Sequence, residues 1–215
     1  MLLKKLVIII YLTNKIKNIN IEIMKKILYL ASKNPGKILE YKKMLSKVNC
    51  QLLLQPQSID VLEDGQTFHE NAYKKASKVS SETNNYAIAD DSGLCINALG
   101  GSPGIFSSRF AETDEERIKK VLRKLEGIEN REAFFLASIC LFSPKGELIL
   151  SSEARCYGNI VKQYRGSNGF GYDPIFEEKT SKLTFAEMKN DIKEIYSHRG
   201  RALEKMIPDL KKIFN

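Results

Sequence analysis

Short apolar segments alternate with helical patterns through the first half of the chain, and this alternation limits the folds open to it. Residues 26–31, 51–54 and 86–89 are short apolar runs, which predict buried strands. After Pro35 apolar residues recur at helical spacing, and residues 67–79 carry a second helical pattern. Alternating strands and helices predict an α/β fold in which helices pack on a sheet.

The second half of the chain carries a hairpin pattern between two further helices. Residues 133–142 and 147–157 are strand-like segments joined by Ser-Pro-Lys-Gly, which predicts a long antiparallel hairpin. A helix should begin after Thr113, whose side chain is a favoured N-cap, and residues 198–213 predict the last helix. Because helix-connected strands commonly run parallel and hairpin strands antiparallel, the sheet should be mixed.

Residues 1–23 differ from the rest of the chain. Lys4 and Lys5 precede a short apolar run, as in a signal peptide, but no small-residue cleavage site follows. The run is also too short to cross a bilayer. A strand pattern begins directly after Met24. We therefore expect residues 1–23 to be an extension outside the fold, translation to start at Met24, and residues 24–215 to form a single domain.

The net charge of the chain bears on its binding partners, and its cysteines bear on its cellular compartment. The formal net charge of +8 favours anionic partners. The lysines are scattered, as on an ordinary solvated surface, so we expect no stable complex with nucleic acid. The four cysteines form no C-x-x-C pair and lie in or beside apolar stretches, which is typical of buried thiols in a reducing compartment. We therefore expect a cytoplasmic protein without a membrane segment.

The turn between the first strand and the first helix is a candidate phosphate site. Such a turn directs backbone N–H groups and the positive end of the helix dipole towards one point, which suits an anion. Asn34 adds an amide donor and Lys37 a positive charge. The segment lacks the P-loop pattern and is also compatible with an ordinary strand-to-helix connection. The candidate residues are Ser32, Lys33, Asn34, Pro35, Gly36 and Lys37.

Carboxylates after the third strand are candidate ligands for Mg²⁺. Asp90 and Asp91 follow residues 86–89 directly. Neighbouring side chains of a strand point to opposite faces, so we expect one of the two to face a given site. Mg²⁺ prefers oxygen ligands and often binds one or two carboxylates together with substrate phosphates. From the residues alone, the pair is also compatible with a solvated turn or helix cap, and Glu63 with a surface loop.

A glycine-rich aromatic loop is a candidate site for a planar ring. Residues 169–176 read GFGYDPIF, in which Phe170 and Tyr172 offer faces for stacking on a base. The same residues are compatible with core aromatics near a turn. A lone histidine is more often structural, but His198 and Arg199 side by side at the start of the last helix offer donors to a phosphate or to an acceptor edge. No Ser/His/Asp or Cys/His set suggests itself, so covalent catalysis is not indicated.

Seven collinear segments together resemble the HAM1/ITPase family of noncanonical purine nucleotide pyrophosphatases. They are SKNPGK, EDGQTFHENA, ADDSGL, ALGGSPGIFSSRFA, GFGYDPIF, FAEM and SHRGRAL, and they span nearly all of the chain after Met24. The resemblance implies a two-lobed α/β catalytic domain with a long curved mixed central sheet, flanked by helices, and a cleft between the lobes. It also implies a homodimer.

The resemblance further implies a reaction and roles for residues. The reaction is Mg²⁺-dependent hydrolysis of ITP, dITP and XTP to the nucleoside monophosphate and diphosphate, which keeps deaminated purines out of DNA and RNA. Residues 32–37 match the triphosphate-binding segment, Glu63 and Asp91 match the metal ligands, and Asp91 also matches the general base. The remaining substrate-binding positions are Ser92, Phe170, Gly171, Tyr172, Asp173, Lys193, His198 and Arg199.

The chain departs from the family pattern at two places, and two rival classes of function stay open. Ser32-Lys33 stands where Thr-Gly is commoner, and the segment before Lys193 is less acidic than usual, so the Lys193 assignment rests on spacing. One rival is a Maf-like pyrophosphatase acting on pyrimidine or modified nucleotides. The other is a non-catalytic RNA- or nucleotide-binding module, which the positive charge suggests.

Overall fold

The computed structural model describes residues 25–215. The predicted extension at residues 1–23 and the predicted start at Met24 lie outside the described residues. Within residues 25–215, no helix is both long enough and apolar enough to cross a membrane.

Six strands of the described chain form one mixed sheet in the order β2-β1-β3-β4-β5-β6. They are β1 (Ile27–Leu30), β2 (Gln51–Leu54), β3 (Tyr86–Ile96), β4 (Glu132–Phe142), β5 (Leu148–Ile160) and β6 (Phe176–Glu178). β1 pairs in parallel with β2 and β3, whereas β3-β4, β4-β5 and β5-β6 are antiparallel. The α/β class, the mixed sheet and the long hairpin are therefore confirmed.

Five α-helices accompany this sheet within the described residues. They are α1 (Pro35–Met44), α2 (Phe68–Thr83), α3 (Asp114–Lys124), α4 (Asn190–Tyr196) and α5 (His198–Phe214). Thr113 caps α3 in a reciprocal capping box with Glu116. Thr67 caps α2 by accepting from Glu70 N at 3.1 Å, but the Glu70 carboxylate accepts from Gln66 N instead of completing a box. The short helix α4 was not predicted from the sequence.

The strand predicted at residues 86–89 is longer than expected. β3 continues to Ile96 because its residues from Ala87 onward pair with β4, including Asp90 with Ile139 and Asp91 with Ser138. Both carboxylates therefore lie inside a strand and not after its end. Since strand side chains alternate, the two carboxyl groups point to opposite faces of the sheet.

Three hydrophobic clusters surround the long strands. One packs α1 and α5 on the face of β3 that carries Ile88, with Tyr41 and Leu203 among its buried residues. A second packs α2 on the opposite face, where Ala76 lies near Ala89. The third contains Phe135 and joins the far half of the sheet to α3 and the segment before α4. β3 thus runs through all three clusters, with Asp90 and Asp91 midway along it.

Candidate functional site

The turn after β1 forms the N-terminus of α1. Asn34 is the N-cap, and its Oδ1 accepts a hydrogen bond from Lys37 N at 3.0 Å. Its backbone N–H donates to Ser32 Oγ at 3.2 Å. The described helix α1 carries no acidic residue in its first turn, so no carboxylate of that turn competes for the positive end of the helix. The local geometry therefore suits an anion.

Lys33 occupies its position without unusual backbone. Among the described residues, the non-glycine residues with positive φ are Asn84 and Lys182. Lys33 is thus outside the left-handed region that would require glycine. Its side chain reaches outward, with Nζ 3.1 Å from the exposed Asp60 carboxylate. The Ser32-Lys33 departure is therefore compatible with the turn.

A cavity of about 200 Å³ brings this turn together with the predicted carboxylates. Lys37 from α1 and Asp91 from β3 line the same space, as does Glu63 from the loop before α2. The predicted residues on its wall are Ser32, Lys33, Asn34, Lys37, Glu63, Asp91 and Ser92. Segments far apart in sequence thus converge at one point.

Lys75 on α2 joins the two candidate metal carboxylates. Its Nζ lies 3.1 Å from Glu63 Oε1 and 3.4 Å from Asp91 Oδ1. Asn71 Nδ2 donates to Asp91 Oδ2 at 3.1 Å. Burial by itself lowers the pKa of Lys75, but the charges of Asp91 and Glu63 outweigh burial and raise this pKa. A protonated ammonium therefore holds both carboxylates at a common position.

The donor set fits a metal ion that arrives with its ligand. Within residues 25–215, no group of three or more His, Cys, Asp or Glu side chains could hold a metal by itself. Glu63 and Asp91 nevertheless converge on one positive charge. Mg²⁺ commonly takes one or two protein carboxylates and completes its shell with water and phosphate oxygens. Two carboxylates beside a phosphate-suited turn meet that requirement.

Asp90 points to the other face of β3 and is 1% exposed. Its Oδ2 lies 3.0 Å from Lys37 Nζ and 3.2 Å from Arg199 Nε, and it accepts from Ser92 Oγ at 3.0 Å. Burial alone raises the pKa of Asp90, but the charges of Lys37 and Arg199 hold it well below its ordinary value. Asp90 is therefore an ionised carboxylate between the turn and the start of α5.

The carboxylate of Asp173 organises the glycine-rich loop. Its Oδ2 accepts from Phe170 N at 2.8 Å and from Lys193 Nζ at 2.6 Å. Gly169 has a φ of +80°, and a Cβ there would lie 1.9 Å from Asp173 Oδ2, so only glycine fits. Lys193 Nζ also lies 2.7 Å from Glu40 Oε1 on α1. Lys193 thus links the loop to the first helix.

The second half of the loop packs against the segment around α3. The Tyr172 hydroxyl donates to Ser107 O at 2.9 Å, and the residue is 4% exposed. Gly171 N donates to Asp114 Oδ2 at 2.7 Å. The Tyr172 ring belongs to the hydrophobic core, so it is not free to stack on a base. Of the two aromatic rings, that of Phe170 is the partly exposed one, and Lys193 Nζ lies 4.7 Å from its centroid.

Two further cavities meet at Phe170. The larger, about 480 Å³, lies between α1 and α4, and its wall includes Pro35, Gly36, Glu40, Phe170, Lys193 and Ser197. The smaller, about 80 Å³, includes Phe170, Gly171, Tyr172, Asp173, Lys193, His198 and Arg199. A Cβ on Gly36 would lie 2.3 Å from Phe170 Cδ1. The aromatic loop therefore packs directly on the turn after β1.

His198 is a buried, neutral ring at the edge of the smaller cavity. It is 4% exposed and stacks on Phe135, with ring centroids 4.6 Å apart and planes 10° apart. Burial, together with the charges of Arg199 and Lys193, holds its pKa well below the ordinary value of 6.5. Its Nδ1 has no hydrogen-bond partner in the described part of the chain. The imidazole is therefore uncharged at neutral pH.

Comparison with known proteins identifies the family. The Ham1 family model matches residues 28–209. The chain belongs to the Ham1 family. The resemblance drawn from the seven sequence segments is therefore confirmed.

Relatives of this Ham1 family member share both sequence and fold. A dITP/XTP pyrophosphatase of Prochlorococcus marinus subsp. pastoris is 65% identical over 89% of this chain and 100% of its own length. One from Synechocystis is 48% identical, over 86% of this chain and 96% of its own length. The structure of a HAM1 protein from Coxiella burnetii aligns with a TM-score of 0.79 at 39% identity, covering 87% of this chain and 99% of that one.

Three charged residues of this Ham1 family member escaped the sequence-based assignment: Glu40, Lys75 and Asp90. Lys75 lies on the apolar face of α2 beside Ala72 and Ala76, all of them buried. A lysine on such a face is the signal that could have identified it. Glu40 follows Lys37 by three residues, which places both on one face of α1. Asp90 was seen but left without a role, because sequence alone does not tell which face of β3 meets the site.

The neutral state of His198 predicts a pH dependence of stability. The unfolded chain takes up a proton on this histidine as the pH falls below 6.5, whereas the folded protein does not until its much lower pKa is reached. The free energy of unfolding should therefore fall by up to about 1.4 kcal/mol per pH unit below pH 6.5. Denaturant unfolding at several pH values measures this slope.

The variant His198→Gln provides the comparison for this prediction. It lacks the titrating imidazole, so its free energy of unfolding should depend less steeply on pH between about 6.5 and 5.5. The other histidine, His69, is present in both proteins and so does not distinguish them. Equal slopes in the two proteins would show that burial does not hold His198 neutral.

Proposed function

We propose that this Ham1 family member hydrolyses noncanonical purine nucleoside triphosphates, namely ITP, dITP and XTP, to the nucleoside monophosphate and diphosphate. This reaction cleanses the nucleotide pool and keeps deaminated purines out of DNA and RNA. The names of the Prochlorococcus and Synechocystis relatives support it. The observation that carries it is the shared cavity in which Lys37 and the turn after β1 meet Glu63 and Asp91.

The triphosphate binds to the turn at the start of α1. The backbone N–H groups of this helix end and the Lys37 ammonium neutralise part of its negative charge. Glu63 and Asp91 are the residues that would hold Mg²⁺, which supplies further charge neutralisation and polarises the α-phosphorus. Lys37 and the helix N–H groups stabilise the charge that moves onto the departing diphosphate.

Asp91 acts as the general base. It orients a water molecule towards the α-phosphorus and accepts a proton from it as the new P–O bond forms. The bond between the α-phosphorus and the bridging oxygen then breaks, and diphosphate leaves. Asn71 and Lys75 hold the two oxygens of the Asp91 carboxylate, which fixes its orientation. Positioning of this kind is a large part of hydrolytic rate enhancement.

The purine is read by its 6-oxo edge against Phe170. Inosine and xanthine present an acceptor at O6 and a donor at N1, whereas adenine presents the reverse pattern. Donors of Arg199 or of the loop pair with O6 and are left unpaired by adenine, which costs about 1–3 kcal/mol per buried group. Stacking of the base on the Phe170 ring contributes about 1–3 kcal/mol in comparable sites.

The compartment and the oligomeric state are also proposals. We expect a cytoplasmic homodimer that forms no stable complex with nucleic acid. All four cysteines are free thiols in the structure, and Cys95, Cys140 and Cys156 are buried. Burial raises the pKa of Cys140 and of Cys156 to about 12, so these thiols are protonated and unreactive. Unpaired structural cysteines support a reducing compartment.

A nucleotide panel tests the proposed function. Diphosphate release from ITP, dITP, XTP, GTP and ATP, with and without Mg²⁺, should show Mg²⁺-dependent turnover. The ratio of kcat/KM for ITP to that for ATP should be at least about 5, as expected from one unpaired buried donor at about 1 kcal/mol or more. A preference for ATP would contradict the proposal. A preference for pyrimidine nucleotides would favour the Maf-like alternative, and tight binding without turnover would favour a binding module.

A further inference from the structure

One oxygen of Asp90 lies between the two ends of the candidate site. Oδ2 is 3.0 Å from Nζ of Lys37, on the phosphate side, and 3.2 Å from Nε of Arg199, on the base side. It also accepts from Ser92 Oγ at 3.0 Å. The other oxygen, Oδ1, is buried and has no hydrogen-bond partner among residues 25–215. The orientation of this carboxylate therefore depends on the donors to Oδ2.

Arg199 is held at three points and is 3% exposed. Nε pairs with Asp90, one terminal nitrogen pairs with Glu40, and the other donates to Ser92 Oγ at 2.9 Å. A guanidinium has five N–H donors, so two remain for a ligand. The acceptors that bind the other three N–H groups fix the guanidinium plane and therefore the direction of the two free N–H groups. Asp90 is one of these acceptors, and it also contributes to fixing Lys37.

We propose that Asp90 is a positioning residue that couples the phosphate-binding lysine to the base-reading arginine, so that purine selectivity depends on Lys37 although Lys37 lies on the phosphate side. The inference rests on the proposed function. When Lys37 is missing, Oδ2 loses one of its three donors while Oδ1 still has none. The carboxylate is then held by Ser92 and Arg199 alone, so its orientation about the Cβ–Cγ bond is fixed less firmly, and Arg199 has a less fixed acceptor.

Burial and charge explain why this coupling should be measurable. Lys37, Asp90 and Arg199 are close together where little water screens their charges, and buried hydrogen-bonded networks are not additive. A lysine that merely neutralised phosphate would change the affinities of ITP and ATP by the same factor, because both carry the same triphosphate. A lysine that also helps to hold Arg199 changes the two affinities by different factors.

The experiment compares the dissociation constants of ITP and ATP by isothermal titration calorimetry in EDTA, where Mg²⁺-dependent turnover is suppressed. Lys37→Gln should weaken both nucleotides and lower the ATP-to-ITP ratio of dissociation constants by at least about threefold. Asp90→Asn should lower the ratio similarly, and the double variant should lower it no further than the single variants. If Lys37→Gln raises the dissociation constants of ITP and ATP by the same factor, the proposal is overturned, even if Asp90→Asn does not fold.

A matched control and a parallel assay complete the test. Glu178 is also a carboxylate only 1% exposed, with Oε1 3.5 Å from Arg201, but it lies on β6 and lines none of the three cavities at the turn and Phe170. Glu178→Gln should leave the ratio unchanged, and an equal fall there would mean a general loss of structure, against the proposal. Failure of the wild type to hydrolyse ITP with Mg²⁺ would refute the proposed function instead. A wild type that hydrolyses ITP but binds ITP and ATP with equal dissociation constants in EDTA would refute the inference and leave the proposed function standing.

Discussion

Asp91→Asn is expected to keep the fold and to lose about 10²–10⁴-fold in kcat, the range associated with general acid–base catalysis. The amide is nearly isosteric with the carboxylate and leaves an oxygen that can accept from Asn71 or lie near Lys75. It cannot accept a proton from water at neutral pH, and it is a weaker metal ligand. Steady-state kinetics with ITP and Mg²⁺, together with circular dichroism and thermal melting, measure both parts of the expectation.

The control for Asp91→Asn is a carboxylate from the same region that faces solvent. Asp64 adjoins Glu63 in sequence, pairs with Lys74, and has a side chain that is 56% exposed. Asp64→Asn should leave kcat within about twofold of the wild type, because exposed ion pairs contribute little and Asp64 lines none of the three cavities at the turn and Phe170. Near-normal turnover in a folded Asp91→Asn protein would exclude Asp91 as the base.

Lys75→Met should lower the free energy of unfolding by about 3 kcal/mol in EDTA. Removing one partner from a buried ion pair costs about 3–5 kcal/mol because the other charge is left uncompensated. We expect the lower end of this range, since the Glu63 side chain is 32% exposed and is partly solvated. Mg²⁺ should recover part of the loss, because a cation that binds only the folded state stabilises it.

Denaturant unfolding in EDTA and in Mg²⁺ measures these effects, and the neighbouring lysine on α2 provides the control. Lys78 pairs with Glu82 across one helical turn, and both side chains are about half exposed. Lys78→Met should therefore change the free energy of unfolding by less than about 0.5 kcal/mol. A loss in Lys75→Met no larger than this would mean that water, and not Lys75, compensates the two carboxylates.

The local elements were largely predictable because their signals are local. The strand at residues 51–54 was predicted with its observed bounds, and Thr113 caps α3 as its sequence indicates. β3 was predicted to end at Ala89, since Asp-Asp-Ser-Gly is typical of a turn. Pairing with β4 overrides that preference and carries the strand to Ile96. Long-range pairing of this kind leaves no mark in the segment itself.

Sequence motifs identified most residues of the candidate site, but they did not predict the contacts between those residues. Glu63, Asp91 and residues 32–37 were identified before any geometry was known, and their proposed roles stay predictions. Lys75 was not identified, because α2 carries three lysines and only the side of the helix on which each one lies tells them apart. For Tyr172 the sequence left two interpretations open, a stacking ring or a core aromatic, and its 4% exposure and the bond from its hydroxyl to Ser107 O place the ring in the core. An aromatic residue in a loop does not reveal on its own which way it turns.

By itself, the sequence of this chain determined the order of strands and helices, the family and the kinds of groups available for chemistry. These follow from periodicity, capping and short motifs, which act over a few residues. Only the tertiary structure decided that Asp91 faces α2 whereas Asp90 faces α1 and α5, that Lys75 meets Glu63, and that Arg199 meets Asp90. Those contacts join segments distant in sequence, and their geometry is set by how the helices pack on the sheet.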